Sequence, residues 1–322
     1  DLLLYKIVGW DFFPAFSFLQ NCNLNKNLFQ CILSLRIEVR VLNMEEIVVH
    51  SMVRRALSFS LGALYFSYIL APIFLILVGS LGAKWFGTLL PEGFTWSWYL
   101  DLFSQPMYMD ALKRSLLVAF LTVVGNAFIS LPAVYAVHVL DRPVLRSIFN
   151  FTILLPVAIP PVVMGLGMIQ AFNWPGMALI GTWQLLVAAH MVYTLPFMLR
   201  PLMANMDLIN WKTLEEAGFS LGAGTMVMMR RVLVPNLLPG LISGALMTFA
   251  MSLGEFQLSV MLTGSQSQTY PVVLYQAFYV STGFACAATT ILAGLSLFSL
   301  FCVLGLGALF GKSGHEQTLL GS

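Results

Sequence analysis

Charge is what this sequence has least of. Only 9% of its 322 residues are Asp, Glu, Lys or Arg, whereas about a quarter are charged in a typical soluble domain. Hydrophobic residues make up 59% of the chain, and the net charge is only +2. This composition excludes a protein whose whole surface faces water. It also argues against nucleic acid as a partner, because nucleic-acid binding needs a basic field.

Motifs for disulfides, metals and nucleotides are missing as well. The four cysteines are scattered without a CxxC pair, so we predict neither a disulfide framework nor a metal site. Gly311-Lys312-Ser313 resembles the end of a phosphate-binding P-loop, but that motif requires glycine where this chain has Leu306. No cluster of His, Asp or Cys indicates an active site. We therefore predict a protein that is not an enzyme and that carries no cofactor of its own.

Long apolar runs are what the sequence has in abundance. A helix needs about 20 apolar residues to cross a bilayer, and six stretches meet this requirement without a Lys or Arg. They cover residues 56–81, 115–140, 148–172, 177–198, 237–262 and 284–310. The sequence therefore predicts an all-α integral membrane protein with six transmembrane helices.

Basic residues near the predicted helix ends indicate the orientation, because they are enriched on the cytoplasmic side. If the first helix starts in the cytoplasm, nine Lys and Arg residues lie inside and three lie outside. The inner set is Arg54, Arg55, Arg142, Arg146, Arg200, Lys212, Arg230, Arg231 and Lys312, and the outer set is Lys84, Lys113 and Arg114. This bias predicts cytoplasmic termini, with residues 82–112 on the outer side.

The first 43 residues differ from the rest of the chain. They contain no methionine, whereas Met44 precedes two glutamates and then the basic pair before the first span. We interpret residues 1–43 as a non-native or disordered extension, with an interfacial helix as the alternative. Residues 44–314 then form the transmembrane domain, and 315–322 form a short tail.

The inner loop between the fourth and fifth spans, at about 199–236, has the most informative pattern. Its centre reads Glu215-Glu216-Ala217-Gly218-Phe219-Ser220-Leu221-Gly222 and runs on to Arg230-Arg231-Val232-Leu233-Val234-Pro235. Gly222 and Gly224 permit a left-handed turn after a first helix, and Pro235 marks the entry to the next span. We predict a helix–turn–helix whose exposed face docks a soluble partner.

This loop resembles the EAA loop of ABC importer permeases. Glu216, Ala217, Gly222 and Pro235 stand at the spacing of that motif, and Arg231 fits the basic position before the proline. In two places the chain departs from the motif, with Gly218 for its second alanine and Val234 for the leucine before the proline. A glycine inside a helix costs about 1 kcal/mol relative to alanine. We therefore expect Gly218 to loosen the first loop helix slightly.

The resemblance extends over roughly residues 54–310 and implies the type I ABC importer permease fold in a bacterial inner membrane. It implies a second permease subunit (identical or not), ATPase subunits that bind ATP and Mg, and a periplasmic or lipid-anchored solute-binding protein. Lipid surrounds the spans. The residues implied in ATPase coupling are Glu215, Glu216, Ala217, Gly218, Gly222, Arg231 and Pro235.

The third predicted span is rich in helix breakers. Pro156, Pro160 and Pro161 remove amide donors, and Gly165 follows within the same run. Broken helices in transporters often line the path of the solute. We interpret these residues as part of the pathway, with a structural kink as the alternative. Gln170, at the outer end, either contacts substrate or is an ordinary interfacial residue.

Glu255 is the only acid within the six predicted spans. A lone carboxylate in a span is costly and indicates a function. One hypothesis makes it a pathway or gate residue that attracts a cation, and the other a hydrogen-bonded acid that orders the bundle. Two smaller predictions concern neighbouring spans: Gly240 and Gly244 serve close helix packing, and His190 is a satisfied buried group.

The substrate is indicated by resemblance alone. The span-three prolines, Gly254-Glu255-Phe256, and Tyr270-Pro271 leading to Ala287-Ala288-Thr289-Thr290 resemble the polyamine, opine and phosphonate group of permeases. This implies a small amine-bearing solute, with ferric iron, thiamine or molybdate as alternatives. A secondary transporter is the alternative of another class. Such a transporter usually has more helices and several ionisable residues within the membrane.

Overall fold

The computed structural model describes residues 28–85, 88, 90–140 and 142–319. Side chains are described from residue 54, except at 177, 178, 300, 302–304 and 306–319. Of the predicted N-terminal extension, residues 1–27 lie outside the described part and residues 28–43 are helical. Of the predicted tail, residues 315–319 are helical and 320–322 lie outside.

Helices make up nearly all of the described chain. They are α1 Leu28–Leu81, α2 Ser97–Ser104, α3 Pro106–Leu140, α4 Pro143–Ala158, α5 Pro161–Phe172, α6 Trp183–Leu208, α7 Trp211–Ser220, α8 Thr225–Met228, a π-helical turn Met229–Leu233, α9 Val234–Leu253, α10 Gln257–Leu262, α11 Tyr270–Ala277 and α12 Thr282–Leu319. Four short strands form two antiparallel hairpins: β1 Gly82–Lys84 with β2 Glu92–Phe94, and β3 Asn173–Trp174 with β4 Met177–Ala178.

The chain divides into two compact units, residues 1–73 and residues 74–322. In the first unit, the described side chains belong to α1, and from Ala56 onward they are uncharged and mostly apolar. Phe59 and Tyr68 are each 80% exposed. A helix that is apolar all round is stable in lipid but not in water, so this segment has the character of a membrane span.

The core of the second unit is built by α3, α6 and α9, and α12 packs against α9. Two glycines on α9 allow its close approach to α6. A Cβ atom at Gly240 would lie 2.9 Å from the carbonyl oxygen of Pro201, and one at Gly244 would lie 2.9 Å from that of Met198. The predicted packing role of these two glycines is therefore confirmed.

Buried polar side chains join the three core helices. Thr122, Asn126 and Ser130 follow one face of α3 and are fully buried. The side-chain amide of Asn126 donates to the hydroxyl of Thr194 on α6 at 2.9 Å. His190, one turn earlier on α6, lies 2.8 and 3.1 Å from two serine hydroxyls, so its prediction as a satisfied buried group is confirmed. Such bonds hold helices together in lipid, where apolar burial contributes little.

The span count agrees with the prediction. Five helices within the described residues are long and apolar enough to cross a membrane, and α4 with α5 make a sixth if the bent pair counts as one span. The pair bends by 96°. The predicted all-α membrane architecture is therefore confirmed, although the third span is not straight.

The predicted boundaries of the fourth and fifth spans were wrong. The fourth span begins at Trp183 rather than at 177, because residues 173–178 form a hairpin and Gly181 adopts a positive φ of 81°. It also continues to Leu208, which shortens the inner loop. The fifth helix ends at Leu253, and residues 254–256 separate it from α10. Glu255 therefore lies at a break in the chain and not inside a continuous helix.

Candidate functional site

The connection from α6 to α9 folds as two short helices joined by a glycine turn, as predicted. Gly222 adopts a φ of +80°. Its amide donates to the carbonyl of Phe219, and the amide of Ala223 donates to that of Gly218, both at 2.9 Å. This is the Schellman arrangement, which closes the carbonyl end of a helix and favours glycine at the left-handed position.

Gly218, the departure from the EAA pattern, faces the second loop helix. A Cβ atom here would lie 2.2 Å from the sulfur of Met228 on α8. Met228 is only 2% exposed, so its side chain has little room to move away. The glycine thus allows α7 and α8 to pack closely. The sequence did not reveal Met228 as the neighbour of this glycine.

Aromatic packing anchors the first loop helix to the core. Trp211, the first residue of α7, is buried and meets the ring of Tyr135 on α3 edge to face at 5.8 Å. The hydroxyl of Tyr135 also donates to the carboxylate of Glu215 at 3.4 Å. These contacts join α7 to α3, one of the core helices.

The loop also carries exposed apolar side chains. Its large exposed side chains are Leu214, Phe219, Leu221, Met226 and Val227, and Leu221 alone is 88% exposed. Glu216, Ala217, Arg231 and Pro235 are exposed as well. Clustered exposed apolar side chains with a charged rim mark an interaction surface. Of the two glutamates, Glu215 is tied to the core and Glu216 is accessible.

An ionic cluster at the same end of the bundle links three helices. Asp207 on α6 forms an ion pair with Arg146 on α4. One oxygen of Asp207 also lies 3.0 Å from the imidazole Nε2 of His138 on α3. The sequence did not reveal this cluster, because Asp207 is more than 60 residues away from both His138 and Arg146 along the chain.

The proline-rich span breaks between α4 and α5. The amide of Ile159 closes α4 on the carbonyl of Leu155 at 3.1 Å. The carbonyl of Pro160 accepts from the amides of Val163 and Met164 at 2.9 and 3.1 Å, and Pro161 occupies the first turn of α5. Proline suits this position because its missing N–H has no intrahelical partner there. The predicted helix break is confirmed, and its role in a pathway stays a prediction.

The second half of the broken third span packs against α10, the helix that follows the break in the fifth span. Gly165 is buried on α5, where a Cβ atom would lie 3.1 Å from the Cβ of Met261 on α10. The other predicted pathway residues on this element differ in exposure. Pro156 is half-buried, whereas Pro160 and Gln170 are exposed. The structure thus brings the Gly165 and Glu255 segments together, with Gln170 on the outer surface of α5.

Glu255 accepts hydrogen bonds from the first amides of α10. Its carboxylate oxygens lie 2.9 and 3.0 Å from the amide of Leu258 and 3.0 Å from that of Ser259. The residue is only 7% exposed. A carboxylate at a helix N-terminus satisfies free donors and interacts favourably with the helix dipole. The imidazole Nε2 of His190 lies 3.7 Å away.

Aromatic rings surround the exposed side of this break. Phe256 and Tyr275 are tilted at 5.1 Å between ring centres, and Tyr275 meets Tyr279 edge to face at 5.5 Å. The two tyrosine hydroxyls are 2.8 Å apart. This hydrogen bond raises the pKa of Tyr279 above its ordinary value. Both tyrosines are exposed, and the sequence did not mark them.

Comparisons with known proteins agree with this architecture. The spermidine/putrescine transport system permease protein PotC of Haemophilus influenzae is 26% identical over 223 residues, covering 68% of this chain and 82% of that protein. PhnV of Salmonella paratyphi A, named for 2-aminoethylphosphonate transport, is 28% identical over 214 residues, covering 66% of this chain and 78% of that protein.

Similarity extends to a solved structure. A chain in the crystal structure of a bacterial ABC transporter involved in the import of the acidic polysaccharide alginate superimposes with a TM-score of 0.63 at 14% identity. The superposition covers 82% of this chain and 98% of the other. At this identity the comparison establishes a shared fold.

The sequence pattern of the family described as binding-protein-dependent transport system inner membrane components matches residues 129–310. The matched part is more than half of the chain and runs from the last turns of α3 into α12. It includes both the α7–α8 loop and the break at Glu255. The chain therefore belongs to this family: it is a multi-pass inner-membrane permease subunit of an ABC importer, a translocation component and not an enzyme.

Proposed function

We propose that this permease carries a small amine-bearing solute, a polyamine, opine or aminophosphonate. The observation that carries the proposal is its similarity to PotC and PhnV. The solutes in those names share a primary amine, which is cationic at neutral pH. The same proposal excludes ferric iron and molybdate, which contain no amine, as the main solute. Thiamine is also an organic cation, so it stays an alternative solute.

The aromatic rings beside the Glu255 break suit such a solute. Phe256, Tyr275 and Tyr279 offer ring faces to a cation, and the two tyrosines offer hydroxyls. A cation–π contact contributes about 0.5–2 kcal/mol, depending on how far the site excludes water. Residues 254–281, which run from this break past Tyr279, contain no Lys or Arg. That stretch of chain therefore adds no positive charge of its own; the nearest described cation is Arg114 on α3, whose guanidinium donates to the carbonyl of Gln268 at 3.0 Å.

Transport is coupled to ATP through the loop in this proposal. ATPase subunits, which bind ATP and Mg, contact the exposed face of α7 and α8. Their closure moves α7, and the Trp211 and Glu215 contacts to Tyr135 carry that movement to α3. The π-helical turn joins α8 directly to α9. A second permease subunit completes the pore, and a solute-binding protein delivers the solute from outside.

Uptake into proteoliposomes tests both the solute and the energy source. With the complete transporter and its binding protein, labelled spermidine should accumulate when ATP is present, and unlabelled putrescine or 2-aminoethylphosphonate should compete. A proton ionophore should have no direct effect, because ATP drives the process. Competition by thiamine alone would contradict the proposed solute class. Uptake that requires an ion gradient instead of ATP would identify a secondary transporter.

Orientation is the second part of the proposal, and it rests on the bias of basic residues towards one end of the spans. We expect the α7–α8 loop and both termini in the cytoplasm and the β1–β2 hairpin outside. In a background with the four native cysteines replaced by serine, Ser97→Cys should react with an impermeant thiol reagent added to intact cells. Thr225→Cys should react only after the cells are opened. The reverse pattern would overturn the orientation.

A further inference from the structure

A cleft opens between α4 and α6 at the end of the bundle that carries the α7–α8 loop. Its volume is about 530 Å³. Leu154 and Met203 contribute to its apolar walls. Its polar rim is formed by Arg146, Asn150, Arg200 and Asp207. These residues lie outside the α7–α8 loop, the two helix breaks and the aromatic cluster described above.

The balance of charge in the cleft is positive. Asp207 is already engaged by Arg146 and lies 3.0 Å from the ring nitrogen of His138. Arg200 faces the cleft from α6, and no carboxylate of the described residues lies within ion-pair distance of it. Its guanidinium is therefore available to an anion from outside the chain. Guanidinium groups match phosphate oxygens with two parallel hydrogen bonds.

The apolar walls of the cleft indicate which kind of anion would bind there. Leu154 is exposed, whereas Met203 is buried. Exposed apolar walls next to an arginine at the end of a membrane span fit a molecule with a charged head and an aliphatic tail. Basic pockets between transmembrane helices bind anionic lipid headgroups in this way. A free phosphate would gain nothing from the apolar walls.

We propose that this cleft binds an anionic phospholipid. The phosphate ester contacts Arg200 and Asn150, and an acyl chain lies along Leu154. The lipid then bridges α6 to α4, the first half of the broken span, independently of which solute the transporter carries. Because α4 leads directly into the break at Pro160, the bound lipid stabilises one arrangement of the two halves.

Lipid binding to the intact transporter tests the proposal. The full-length chain, in the complex in which it is isolated, is exchanged into detergent and titrated with phosphatidylglycerol or with phosphatidylcholine of the same acyl chains. Bound lipid is counted by native mass spectrometry. Phosphatidylglycerol should be retained in preference to phosphatidylcholine. Arg200→Gln should weaken that retention about fivefold, the effect of one basic residue near an anionic surface.

Matched variants separate a site from a general loss of charge. Lys113→Gln removes one positive charge from an exposed residue outside the cleft, on α3, and should leave retention unchanged. Arg200→Lys keeps the charge and should restore part of the binding, and Asn150→Leu should weaken it while leaving both arginines in place. If Arg200→Gln does not fold, Asn150→Leu decides the matter.

Three outcomes would overturn the proposal. Equal loss of phosphatidylglycerol in Arg200→Gln and Lys113→Gln would show that charge acts without a site. Inorganic phosphate that raises the unfolding temperature as much as phosphatidylglycerol does, through Arg200, would identify a free anion as the ligand. Retention that is unaffected by both cleft variants would place the lipid elsewhere.

Discussion

Gly222→Pro should abolish ATP-driven uptake while the protein still inserts into the membrane. Gly222 has a φ of +80°, and its amide donates to the carbonyl of Phe219. Proline fixes φ near −65° and has no amide hydrogen, so it can provide neither feature. The turn between α7 and α8 must then rearrange, and with it the exposed face that meets the ATPase. Uptake and membrane content should be measured on the same preparations.

A second glycine in the same turn provides the control. Gly224 has a φ of −77°, and a Cβ atom there would meet no atom within 4 Å. Gly224→Ala should therefore retain uptake. Wild-type uptake by Gly222→Pro would contradict the docking function of the loop, and loss of uptake by Gly224→Ala would show that the loop tolerates no change at all.

Charge reversal at Glu216 should have the same functional effect without disturbing the turn. Glu216 is exposed on α7, whereas its neighbour Glu215 is held by Tyr135. Glu216→Lys should reduce recovery of the ATPase with the permease, or leave ATP hydrolysis without uptake. Glu92→Lys makes the same reversal on an exposed strand residue away from the loop and should be silent. Full coupling in Glu216→Lys would exclude this glutamate from the contact.

Glu255→Leu should greatly reduce the yield of assembled transporter, whereas Glu255→Gln should be mild. The carboxylate accepts from the amides of Leu258 and Ser259 at the start of α10. Glutamine keeps one acceptor oxygen at that position, but leucine leaves two buried donors without a partner, at about 1–3 kcal/mol each. Complex yield and unfolding temperature report the difference.

The same pair of variants tests the other hypothesis for Glu255. If its charge attracts the cationic solute, Glu255→Gln should raise the concentration needed for half-maximal uptake while yield stays normal. The hydrogen bonds to α10 favour the structural outcome. A raised half-saturating concentration with an unchanged unfolding temperature would decide against it and would make Glu255 part of the pathway.

Within the described chain, the predictions that succeeded depend on local pattern. The span count follows from run length, because in lipid every backbone group must be bonded internally and only a helix does this within one segment. The loop turn follows from Gly222, because few other residues adopt a positive φ at low cost. The break near Pro160 follows from the missing amide donors. Each of these depends on residues that are neighbours in sequence.

What the sequence by itself determined is therefore the class of protein, the number of its spans and the position of its loop. Only the tertiary structure decided that Gly218 accommodates Met228, that Glu255 caps α10, and that Arg200 is left without a carboxylate beside a cleft. Composition and periodicity specify which face of a helix is apolar, but they do not specify where a helix is interrupted or which side chain it will touch. The cap by Glu255 depends on the break at residues 254–256, and the contact of Gly218 and the position of Arg200 depend on how separate helices pack.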